Sequence, residues 1–92
     1  MARGEKIMFE IYRDITYSDE YRVVYFTELT ERDRENEIQR AMKGEHVFDG
    51  YISDAGNLEA RRAIDAVVGR LNSGEPFSRD NIERALEAYL VS

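Results

Sequence analysis

The chain has 92 residues, 42% of them hydrophobic and 35% charged, which is apolar enough to fold and of a length for one domain, 1–92. Nineteen acidic residues against thirteen basic ones leave a net charge of −6, which argues against a general binder of nucleic acid or anionic membrane. There is no Cys and one His, so disulfides, thiolate chemistry and the usual zinc constellations are excluded.

Residues 6–29 read as a β-hairpin. Ile7, Phe9, Ile11 and Ile15 alternate with Met8, Glu10, Tyr12 and Asp14, the period-two pattern of a strand. A polar turn over Thr16–Glu20 leads into a second β-rich run, Tyr21–Leu29. One face of each strand is aliphatic and the other carries aromatics, so the second face is expected to be covered by another element or another chain. The period then changes. Thr30 suits an N-cap, with Asp33 three residues on, and Gly44 a left-handed stop, which predicts a helix over 31–43. Its apolar residues, Ile38, Ala41 and Met42, form only a thin stripe.

A short aromatic run predicts a third strand over 47–52, followed by a turn cluster at Ser53–Asn57. A helix over 58–71 buries Ala60, Ile64, Val67 and Leu71, and Gly74 and Pro76 stop it. The last helix is expected over 79–91. Ser78 is its N-cap, Phe77 and Ile82 are placed to staple its start, and Ile82, Ala85, Leu86, Tyr89 and Leu90 follow the helical template. The order β-β-α-β-α-α predicts an α+β fold, a small antiparallel sheet of two or three strands with its helices, a C-terminal helical hairpin among them, against one face.

No constellation commits the chain to catalysis. His46 lies near Glu45 and Asp49, as a general base beside a carboxylate would, but adjacency in sequence is poor evidence for catalysis and a polar residue at a helix-to-strand junction is the preferred reading. Asp49-Gly50 and Asp54–Asn57 lack the spacing of a Ca²⁺ loop and fit turn chemistry. The glycines never cluster into a phosphate loop. No cofactor, metal site or catalytic residue is therefore expected, and the protein is read as no enzyme.

The C-terminal helix pair invites comparison with a helix-turn-helix, with Arg79, Asn81 and Arg84 early in the second helix. Its connection is too long, and Asp80, Glu83 and Glu87 would face phosphates. The acidic excess sits N-terminally: residues 1–56 carry a net −5 and residues 57–92 only −1. Glu31–Arg34 and Glu37–Arg40 pair at i, i+3, as on a solvated helix face. Tyrosines outnumber what the aliphatic core needs, and Tyr is enriched at interface hot spots.

These features predict a small acidic, non-catalytic protein-interaction module, with Tyr12, Tyr17, Tyr21, Tyr25, Glu28, Glu31, Asp33, Glu35, Glu37 and Tyr51 as its candidate surface. Its partner would be a protein, with homodimerisation through the sheet face or edge as a companion expectation. The alternatives are an acidic inhibitor mimicking nucleic acid, of the phage or anti-defence type, and a weak helix-turn-helix DNA binder. Without an uninterrupted apolar run for export, and with nothing near the roughly twenty apolar residues of a membrane span, a cytoplasmic location is expected.

Overall fold

The computed structural model describes residues 5–26 and 31–91, the side chains of 31–34 excepted. The alternating run folds as the expected hairpin. Strand β1 (Lys6–Asp14) pairs antiparallel with β2 (Glu20–Tyr25), Phe9 opposite Tyr25 and Asp14 opposite Glu20. Asp14 shapes the reversal. Its buried carboxylate accepts from the Tyr17 N–H at 3.1 Å and the Ser18 hydroxyl at 3.5 Å, while its carbonyl accepts from the Asp19 N–H at 2.7 Å. Asp19 takes a φ of 55°, a left-handed conformation that Asp tolerates better than most residues. Ile15 does not continue the inner face; it sits in this turn, half exposed. The strand stops short of Phe26, which the expected second run included; residues 27–29 and the Thr30 cap lie outside the described residues.

Helix α1 (Glu31–Lys43) has the predicted bounds. Gly44 ends it, its N–H bonding the Arg40 and Ala41 carbonyls at 3.1 and 3.2 Å, but not by adopting the expected left-handed conformation. The reason for glycine is space. A Cβ there would stand 2.6 Å from the Arg13 carbonyl oxygen and 2.9 Å from the Tyr12 ring. Strand β3 (Glu45–Ser53) is longer than expected and pairs antiparallel with the other side of β1. A register shift beside Ile11 and Tyr12 places one extra residue in β3, so that consecutive Val47 and Phe48 are both buried in one cluster.

Helix α2 (Asn57–Asn72) buries Ala60, Ile64, Val67 and Leu71, as its periodicity predicts. It ends in a Schellman arrangement: Gly74 at φ 93° sends its N–H to the Leu71 carbonyl, and the Glu75 N–H reaches that of Arg70. At its last residue the Asn72 amide oxygen accepts from the Tyr21 N–H at 2.7 Å. The same amide's nitrogen donates to the Tyr21 carbonyl at 3.0 Å. Helix α3 (Arg79–Leu86) starts at Ser78, whose hydroxyl accepts from the Asn81 N–H at 3.1 Å.

The end of the chain departs from expectation. The last helix does not run to residue 91; after Leu86 the chain turns, and β4 (Leu90–Val91) pairs antiparallel with Tyr51 and Ile52. The sheet therefore has four strands in the order β2-β1-β3-β4, not two or three. Nor do the helices share one face. Helices α2 and α3 pack on Ile7, Phe9, Ile11, Phe48 and Ile52, whereas α1 packs on the opposite face, its Ala41 clustering with Tyr12 and Val24 and with the flanking Phe26. The α+β class stands, as three layers rather than two.

Candidate interaction face

Helix α1 covers only part of its side of the sheet. The pleat puts Lys6, Met8 and Glu10 of β1 on that side, and the register sets Ser53, Tyr51 and Asp49 of β3 directly across from them. Val91 of β4 lies across from Tyr51 in turn. Three rows result: Lys6 and Ser53, then Met8, Tyr51 and Val91, then Glu10 and Asp49. The middle row is apolar and open, with Tyr51 43% and Val91 37% exposed. The Lys6 ammonium stands 5.6 Å from the centre of the Tyr51 ring.

Beside Glu10, against α1, lies a cavity of about 290 Å³ lined by Glu10, Phe26, Ile38, Ala41, Met42, Gly44 and His46. The β3 register shift brings His46 to this side, where its Nδ1 is 3.1 Å from the Glu10 carboxylate. His46 is thus held from the neighbouring strand, not by Glu45 or Asp49. A neutral imidazole donating through Nδ1 would leave Nε2 as an acceptor, which is half of a general-base arrangement. The other described side chains lining the cavity are aliphatic, aromatic or thioether groups and supply no nucleophile or oxyanion donor. Among the described residues, no three His, Cys, Asp or Glu side chains are grouped to hold a metal ion.

Underneath α1, Tyr12 is fully buried, and its hydroxyl has no hydrogen-bond partner among the described residues. Burial pushes this phenol above its ordinary pKa; the Glu37 charge adds to the shift and Arg22 opposes it. Arg40 ties the helix to the hairpin turn, with its Nε 3.8 Å from the Asp14 carboxylate and its guanidinium 4.9 Å from the centre of the Tyr17 ring.

The residues expected to form one tyrosine-bearing surface are dispersed. Tyr12 belongs to the packing under α1, Tyr17 is exposed in the hairpin turn, and Tyr21 and Tyr25 pack against the α2 side. Arg61 stacks over Tyr25 and the Phe77 ring meets Tyr21 edge-on. Glu35 is exposed and Glu37 half-buried on α1; Glu28 and the side chains of Glu31 and Asp33 lie outside the described residues. Only Tyr51 falls on the open rows. Sequence reasoning missed Lys6, Met8, Asp49 and Val91 there, because what unites them is pairing between distant strands. The one available signal was Met8 on the polar side of an alternating strand.

No family model matches this chain, and no curated protein and no solved structure matches it. No helix among the described residues is long and apolar enough to cross a membrane.

Proposed function

We propose that the protein is a small acidic, non-catalytic protein-interaction module of the cytoplasm, and that its contact surface is the open half of the α1 side of the sheet. The observation that carries this reading is the row Met8–Tyr51–Val91. It is an in-register apolar line across three strands that α1 leaves partly exposed, while the other sheet face is packed by two helices. Apolar surface on an otherwise well-covered sheet marks contact sites, and Tyr51 supplies the kind of ring that anchors them. The partner is a protein, and a second copy of the chain is one that the surface fits.

A photo-crosslinking residue at position 51, with one at exposed Glu83 on α3 as control, tests this in the native host. Protein adducts are expected at position 51 and not at 83. Adducts at 83 with none at 51 would move the contact surface to α3.

A further inference from the structure

The three rows are ordered by charge as well as by polarity, with Asp49 the exposed member of the acidic row and Glu10 20% exposed beside His46. Lys6 is at one end, the apolar row is in the middle, and Glu10 with Asp49 is at the other end. Such a pattern is its own complement. A two-fold axis lying along the apolar row, between two facing sheets, exchanges the outer rows, so each copy's Lys6 comes over the other's Glu10, next to Asp49, and its Ser53 over Asp49. The two apolar rows then meet face to face. We propose that the chain forms a homodimer through this patch, Tyr51 and Val91 at its centre and Lys6 against the acidic row at both ends.

A further feature favours a second copy as the occupant. Glu10 and Asp49 are directly opposite one another on the same face, a like-charge pair that destabilises a lone sheet. Among the described residues Asp49 has no cationic partner, and Glu10 has only the His46 ring. An incoming Lys relieves that repulsion.

The patch is small. Three strands about 4.8 Å apart and three rows about 7 Å apart give on the order of 300 Å² per copy, under half of a standard interface. The dimer is accordingly weak, with a dissociation constant on the order of 100 µM.

Sedimentation equilibrium on the full chain up to about 1 mM, a concentration chosen to lie well above that constant, tests the proposal. Lys6→Glu and Asp49→Lys are each expected to weaken the dimer about fivefold, since each sets like charges at two symmetric contacts, and the double variant to restore it. The double variant has the native net charge of −6. Asp49→Lys alone makes the chain less acidic, so if overall repulsion governed association this variant would tighten the dimer. Tyr51→Glu is expected to abolish it. A monomer at about 1 mM overturns the proposal, as does a dimer indifferent to Tyr51→Glu, a dimer tightened by Asp49→Lys, or single-variant losses the double variant fails to rescue. The inference rests on the interaction-module reading, but the two fail separately. A monomer whose position 51 crosslinks to a foreign protein defeats only the dimer, and a rescued dimer without foreign adducts confines the module to self-association.

Discussion

Among the described residues, twelve buried ones form one cluster on the side of α2 and α3, and three form the cluster on the side of α1. Both sides present alternate residues of the same strands, so the difference lies in what arrives to cover them. Helix α2 brings four buried residues at helical spacing and α3 two more, whereas the thin apolar stripe of α1 buries Ala41 alone among its described side chains. Helix α1 is instead fastened by polar links through Arg40 and by the close approach of Gly44 to β1. A sheet can thus carry its core on one face and a clasp on the other, and the face with the clasp keeps surface to spare.

The largest test of that contrast compares Phe9→Ala with Val24→Ala, one fully buried residue from each side. Phe9→Ala is expected to remove about 3–5 kcal/mol from global stability in urea unfolding, and Val24→Ala about 2 kcal/mol. Hydrogen exchange sharpens the comparison. Amides of α1 are expected to exchange through an opening of lower free energy than those of α2, and Val24→Ala to lower it further. Equal protection in both helices would break the contrast.

Gly44→Ala comes next. Its new Cβ would meet backbone, which must shift, so a loss of about 1–3 kcal/mol is expected, concentrated in α1 exchange. The smallest effect belongs to Tyr12→Phe, which removes a buried hydroxyl that has no well-formed hydrogen bond among the described residues and lies beside Arg22, and should shift stability by no more than about 1 kcal/mol. The same variant has a pH signature. Unfolded tyrosine ionises near pH 10, and folded Tyr12 holds its proton higher. Its contribution is therefore complete below about pH 10 and is lost as the pH rises toward the folded value, where the unfolded chain has already released the proton. Tyr12→Phe should flatten that alkaline decline, read as urea midpoints at about pH 8 and pH 11.

Much of the architecture was legible because local physics decides it. The bounds of α1, the buried stripe of α2, the Ser78 cap and the left-handed Gly74 follow from side chains acting within a few residues of themselves. Tyr89 and Leu90 show where that legibility stops. They continue the helical template of α3, and both pack against the core, yet they do so after a turn, with Leu90 in a strand. Periodicity reported that they face inward and was silent on the backbone that brings them there. Val47 and Phe48 likewise signalled burial, but the irregularity that seats both is a property of pairing with β1. The candidate site was legible least, since Glu10 and His46 are 36 residues apart and Val91 joins Tyr51 only through β4.

The Asn72 amide has a consequence for how this molecule can assemble. An outer strand normally offers its neighbours a free template of main-chain groups, and chains that accept it can add without limit into fibrils. Here a strand arriving at β2 finds both main-chain groups of Tyr21 already taken by a side chain from the end of a helix. At the opposite margin, a two-residue strand and an irregular β3 offer little straight length to copy. Face-to-face contact, in contrast, is exhausted by two copies. The placement of one asparagine thus makes the β2 edge a poorer template for the addition of further chains.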